Sequence, residues 1–146
     1  MENFKILKYP DQRLRKIAQP VQIINDKIKK IINKMFHTMY QNNGIGLAAT
    51  QVNIHLRIIV IDIMKEKNNP IVLINPKTIQ KFENISMEEG CLSLPGVNKI
   101  INRSKNIEVH ALNENNQKIK IYATSLLAIC IQHEMDHLSG KLLIDY

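Results

Sequence analysis

Residues 133 to 137 read His-Glu-Met-Asp-His and follow the apolar stretch Leu126-Leu127-Ala128-Ile129-Cys130-Ile131, with Gly140 closing the segment. On a helix, imidazoles at i and i+4 lie on one face about one turn apart. That is close enough to hold a single divalent ion, with Glu134 beside them to move a proton. The segment is largely apolar all round, so its helix belongs inside the protein with strands packed over it. Two histidines and a glutamate carried into an interior cost desolvation unless something satisfies them, and a bound cation would. The pentapeptide alone does not separate a catalytic site from polar residues on an exposed amphipathic helix, so the rest of the chain has to decide.

The flanking patterns supply elements to surround such a helix. From Asn25, a candidate N-cap, the apolar positions Ile28, Ile31, Ile32, Met35 and Met39 form a helical stripe ending near Asn42-Asn43-Gly44. Strands are predicted over Arg57 to Asp62 and over Ile71 to Ile74, the latter stopped by Asn75-Pro76. Ile107, Val109 and Ala111 alternate with polar neighbours, as do Ile119 and Ile121 beyond the turn-like Asn113 to Asn116, which suggests an antiparallel hairpin. The second helix should open at Thr124, with the threonine hydroxyl as cap, and run to Leu138 before the Gly140 stop. The expected fold is α+β: antiparallel or mixed strands surrounding a buried C-terminal metal-binding helix, with an amphipathic helix nearer the N-terminus.

A chain of 146 residues, 45% apolar and 23% charged, makes one domain, 1–146, able to bury a core without disulfide staples. Two cysteines, Cys91 and Cys130, suit a reducing compartment in which a thiolate stays free. No apolar run is long enough for a bilayer, and Met-Glu-Asn-Phe-Lys opens no leader, so a cytoplasmic protein without a membrane partner is expected. The net charge is +7, but the lysines are scattered and no arginine-rich cluster appears, so no specific nucleic-acid partner is expected.

A catalytic metal usually takes three protein ligands and keeps one position open for water. A zinc endopeptidase with this pentapeptide would need a ligand well downstream. Asp145 is the sole carboxylate among the nine residues after His137 and lies past the Gly140 break, so that reading loses most of its support. Cys130 faces the same way as His133 but lies about 10.5 Å along the axis from His137, too far for one ion, and reads as a small apolar filler. Cys91 is better placed, in Glu88-Glu89-Gly90-Cys91-Leu92-Ser93-Leu94-Pro95-Gly96, where Gly90 permits close backbone approach and Pro95-Gly96 forms a rigid turn. The alternative for Cys91 is an inert buried thiol in a loop. His37, His55 and His110 read as surface or structural residues, and Asp136 points away from the imidazole pair, within reach of a supporting hydrogen bond.

Three motifs stand in order: Gly44-Ile45-Gly46-Leu47-Ala48-Ala49-Thr50-Gln51-Val52, then Glu89-Gly90-Cys91-Leu92-Ser93, then Gln132-His133-Glu134-Met135-Asp136-His137. Together they resemble the signature of the peptide deformylase family. The likeness covers nearly the whole chain, including Tyr9-Pro10-Asp11-Gln12-Arg13-Leu14-Arg15 and Gly140-Lys141-Leu142. It implies a cytoplasmic hydrolase that removes the formyl group from the N-terminal formyl-methionine of newly made proteins and releases formate. It also implies Cys91, His133 and His137 as ligands of one divalent ion per chain, natively Fe2+, with Zn2+, Ni2+ or Co2+ as substitutes. By the same resemblance Glu134 would take the proton of the attacking water and pass it to the departing amine, while the Gln51 side-chain amide and the Leu92 backbone N–H would donate to the carbonyl oxygen. The resemblance further implies that the backbone of Gly44 and Gly46 lines a groove for an extended peptide, that Gly90 gives it room, and that Ile45, Leu126, Ile129 and Cys130 wall a methionine pocket. Apart from the resemblance, Gln51 reads as a capping or solvated glutamine, the glycines as turn residues and the four pocket residues as core.

Two departures from the family pattern carry expectations. Many relatives continue past the position of Tyr146 into a helix implicated in ribosome docking. This chain stops there, so a catalytic domain without that extended helix, and without ribosome attachment through it, is expected. Many relatives also carry an arginine near Asn98 that holds the substrate backbone; here Lys99 is the nearest cation, and activity with weaker peptide affinity is expected. A zinc endopeptidase and a purely structural metal module remain the competing readings.

Overall fold

The computed structural model describes residues 2–64 and 69–146. Its ordered elements are α1 (Asp26–Gln41), β1 (Gly46–Ala48), β2 (Ile58–Ile61), β3 (Ile71–Cys91), β4 (Leu94–Leu112), β5 (Lys118–Thr124) and α2 (Leu126–Leu138), with short 3-10 turns at Gln12–Arg15, Ala49–Val52 and Leu143–Asp145. The strands form a single sheet in chain order, β1-β2-β3-β4-β5, with every neighbouring pair antiparallel. The α+β expectation therefore holds, and of the two strand arrangements it left open the sheet takes the antiparallel one.

Strand β2 explains how two helices share this sheet. Side chains alternate across a strand: Ile58 and Val60 pack with Ile28, Ile32, Met35 and Met39 of α1, while Ile59 and Ile61 pack with Ala128, Ile131 and Leu138 of α2. The helices thus cover opposite faces of the β1–β3 region, and all four β2 residues are fully buried. A strand covered on both faces reads as a continuous apolar run rather than an alternating one.

Helix α1 begins as expected, with the Asn25 side chain accepting from the Ile28 N–H at 3.1 Å, and ends where Asn43 adopts φ 58°. Three boundaries differ from expectation. Strand β3 does not stop at Asn75-Pro76; it passes through a bulge between Ile74 and Lys77 and continues to Cys91. Asn75, at φ 53°, pairs its side-chain amide with both backbone groups of Val21, so the interrupted ladder is repaired from elsewhere in the chain. Pro95-Gly96 likewise belongs to β4, at a register shift next to the hairpin end rather than in a separate turn. Helix α2 opens at Leu126, not Thr124: Thr124 ends β5 opposite Asn106, and Ser125, at φ 54° and with no side-chain capping bond, makes the whole connection.

Candidate metal centre

Helix α2 and the tip of the β3–β4 hairpin build the site. Cys91 is the last residue of β3, and only Leu92 and Ser93 separate it from its ladder partner Leu94. This hairpin end carries the thiol to α2, where its Sγ lies 3.3 Å from His137 Nε2. One donor atom each from Cys91, His133 and His137 lie within 4.8 Å of one another. His133 and His137 are 9% and 1% exposed, with ring centroids 5.0 Å apart. A thiolate with two imidazoles in this spacing is a donor set for a divalent transition ion, and three protein ligands leave a fourth position for solvent or substrate.

The surroundings fit a cation. Burial pushes the Glu134 carboxyl up to about 7 and holds His137 well below its ordinary value, in the neutral form that ligates. Burial alone would also depress His133, but the charge of Glu134 and hydrogen bonds with Cys91 and Glu89 outweigh it and raise the imidazole to about 10. The same negative surroundings that hold a proton there suit a metal ion. His133 Nδ1 bonds Glu89 Oε1 at 3.0 Å, which turns Nε2 toward the ligand cluster. Glu89 is gripped by both arms of the Arg103 guanidinium, at 2.6 and 3.0 Å.

Glu134 projects beside this cluster, 4% exposed, and its Oε1 has no hydrogen-bond partner among the described residues. A Cβ on Gly46 would sit 2.7 Å from Glu134 Oε2 and 2.8 Å from Cys130 Sγ, so only glycine lets β1 approach this closely. Gln51 is 2% exposed. Its Oε1 accepts from the Ala48 N–H at 2.9 Å, while its Nε2 donates to Ser93 Oγ at 3.1 Å and points toward Cys91 Sγ at 3.7 Å. The glutamine is therefore a backbone cap and a donor aimed at the site at once. It is not solvated.

The sequence-derived residues converge. Gly44, Ile45, Gly46, Gln51, Gly90, Cys91, Leu92, Leu126, Ile129, Cys130, His133 and Glu134 line one cavity of about 410 Å³, which Asn98 also borders. His137 is buried behind it. Cys130 stays outside the ligand group and lines the cavity wall, with burial pushing its thiol up. Asp145, the only downstream carboxylate, is engaged by Arg15 at 2.5 Å, which removes it as a peptidase-type ligand. Two residues that sequence reasoning passed over are Arg103 and the supporting role of Glu89. A buried arginine on a strand is the one signal available, and it becomes visible only once the register is known.

Comparison with known proteins agrees with this geometry. A family model described as polypeptide deformylase matches residues 3–146. The peptide deformylase of Buchnera aphidicola subsp. Acyrthosiphon pisum (strain Tuc7) is 60% identical over 146 residues, all of this chain and 84% of that protein. The peptide deformylase of Wigglesworthia glossinidia brevipalpis is 53% identical, over all of this chain and 96% of that one. Among solved structures, a peptide deformylase from Legionella pneumophila superposes with a TM-score of 0.97 at 44% identity, covering 99% of this chain and 85% of that one. The peptide deformylase from Thermotoga maritima gives 0.94 at 39% identity, covering 99% and 97%. With Cys91, His133 and the buried Glu134 lining one cavity, His137 packed against Cys91 behind it, and relatives alike over all of this chain, the chain belongs to the polypeptide deformylase family of hydrolases.

Proposed function

We propose that this cavity binds N-formyl-methionyl peptides and that Cys91, His133 and His137 hold one divalent ion, Fe2+ in the cell, while Glu134 moves the proton. The overall reaction is the family's: water cleaves the formyl amide of a newly made polypeptide, giving formate and a free N-terminus. The observation that supports the assignment is the juxtaposition of the three donor atoms with a buried carboxylate whose Oε1 lacks a partner among the described residues, at a cavity that Cys91, His133 and Glu134 line. When bound, the ion supplies a Lewis acid that lowers the pKa of water beside it. Ferrous iron, like zinc, nickel or cobalt, accepts a thiolate and two imidazoles.

Each residue then has a defined task. Glu134, raised toward neutrality by burial, takes a proton from the attacking water and returns it to the amine nitrogen as the C–N bond breaks. The Gln51 Nε2–H and the Leu92 N–H donate to the formyl oxygen as charge grows on it, and because both belong to ordered backbone turns little reorganisation is required. Gly44, Gly46 and Gly90 leave room for an extended peptide backbone between β1 and β3, so binding depends on main-chain hydrogen bonds rather than on sequence. Ile45, Leu126, Ile129 and Cys130 take the methionine side chain. The reaction proceeds in the cytoplasm, on newly made polypeptides.

The test is formate release from formyl-Met-Ala-Ser by anaerobically purified protein, set against an unformylated protein substrate, with metal content measured on the same sample. Glu134→Ala should keep its metal and lose turnover by about 10²–10⁴-fold. Full turnover by that variant would remove Glu134 from the chemistry. Cleavage of the unformylated chain would mark a peptidase.

A further inference from the structure

We propose that Tyr146 is a positioning residue for the metal site: its ring and hydroxyl fix Arg103, which through Glu89 sets the orientation of His133. The inference rests on Cys91, His133 and His137 being the ligand set. Arg103 and Glu89 are both almost fully buried, with side chains 4% and 6% exposed. A buried guanidinium must satisfy its donors, and this one spends Nε and Nη2 on the two Glu89 oxygens and Nη1 on Asp136 Oδ2 at 3.0 Å and the Tyr146 hydroxyl at 3.1 Å. The Tyr146 hydroxyl accepts that bond and donates its own hydrogen to the same Asp136 oxygen, closing a three-membered ring of contacts. Its aromatic face lies 4.9 Å from the Arg103 guanidinium carbon, with Lys141 Nζ 4.0 Å from the ring.

The arrangement acts on the metal site because it holds Arg103 from several directions. Glu89 comes from β3, Asp136 from α2 next to His137, and Tyr146 from beyond the last 3-10 turn. Glu89 Oε1 receives both Arg103 Nη2 and His133 Nδ1, so any rotation of the guanidinium is passed to the imidazole. Asp136 alone offers Nη1 a single oxygen. Tyr146 supplies the second acceptor and blocks the space into which the guanidinium would tilt. Its hydrogen bonds and ring contacts go to Arg103, Asp136 and Lys141, so its influence runs through Arg103.

Release of Co2+ from the cobalt-loaded protein to a chelator tests this, read together with the visible Co2+ absorption and the melting temperature of the stripped protein. Tyr146→Phe keeps the ring and deletes the hydroxyl. It should release Co2+ about 3- to 10-fold faster and shift the cobalt bands, with kcat lowered, KM for formyl-Met-Ala-Ser unchanged and the stripped protein melting as wild type does. Asp136→Asn, a second route to the same contact, should behave alike. Arg103→Lys should release the ion faster still, and adding Tyr146→Phe to it should change nothing more, because the route is then already cut. Wild-type release rates in both Tyr146→Phe and Asp136→Asn, additive effects in the Arg103→Lys background, or a loss of stability in the stripped Tyr146→Phe protein large enough to account for the faster release would each overturn the proposal. A wild-type protein that binds no Co2+ would instead overturn the ligand assignment and this inference with it.

Discussion

Gly46 shows how tightly single residues constrain this site. It pairs with Ile61 in the sheet while its Cα faces α2, where a methyl group would meet Glu134 Oε2 at 2.7 Å and Cys130 Sγ at 2.8 Å. The obstructing atoms belong to Glu134 and Cys130, 4% and 6% exposed, so they have little room to swing out to solvent, and the cheapest relief is a displaced Glu134 carboxylate. Gly46→Ala should therefore fold and retain metal yet lose at least about ten-fold in kcat/KM, since an ångström of misplacement is enough to degrade proton transfer. Metal analysis beside formate-release kinetics checks this, and unchanged kinetics would mean that Glu134 has more freedom than its packing indicates. At this scale the sequence was most legible where chemistry and spacing coincide in one segment, as in His133, Glu134 and His137. It was silent on Arg103 because Glu89 and Arg103 lie fourteen residues apart on neighbouring strands, and their meeting depends on a hairpin register that no local pattern encodes.

Elements were legible to the extent that their ends are decided locally. Helix α1 matched its expectation because Asn25 caps the Ile28 N–H within the same few residues and the apolar stripe is complete within the segment. The end of β3 differs for the opposite reason: Asn75-Pro76 is a local stop signal, but Val21, fifty-four residues away, donates its N–H to the Asn75 side-chain oxygen and accepts from the Asn75 side-chain nitrogen, which lets the strand continue. The start of α2 was misplaced because a single serine at positive φ can replace an ordinary capping turn when the preceding strand runs directly into the helix. The far end of α2 is where an element-scale prediction belongs. Gly140 sits at φ 75°, and a Cβ there would come 2.5 Å from the Arg15 carbonyl oxygen, in a segment where Ala18 N–H also bonds the Leu138 carbonyl at 2.9 Å. Gly140→Ala combines left-handed strain with a backbone clash and should cost about 1–3 kcal/mol or more, read as a lower urea midpoint at unchanged slope. A variant as stable as wild type would show that the N-terminal segment docks on α2 more loosely than these contacts require.

Across the whole molecule, the proposed ion would tie the tip of the β3–β4 hairpin to α2, adding to the Glu89–His133 and Arg103–Asp136 contacts that already link them. Cys91 comes from the tip of β3 and the histidines from α2, with Sγ 3.3 Å from His137 Nε2, and Cys91 and His133 both line the cavity of about 410 Å³. Without a cation, this region would keep the Cys91 thiol and the two imidazoles crowded together beside a desolvated Glu134 carboxyl whose Oε1 has no partner among the described residues. Binding to the folded chain alone stabilises it by RT ln(1 + [L]/Kd), about 2.7 kcal/mol at a hundred-fold excess over Kd. For a domain near 150 residues each kcal/mol moves the midpoint by roughly 2–4 °C, so stripping the metal should lower the melting temperature by roughly 5–11 °C. Circular dichroism melts with and without a chelator measure this directly. Cys91→Ala serves as the internal control: with one ligand gone, its melting temperature should lie near that of the stripped wild type and respond far less to added metal. Equal melting of loaded and stripped wild type would mean that the hairpin tip and α2 are already rigid without the ion, and that metal serves the chemistry but not the fold.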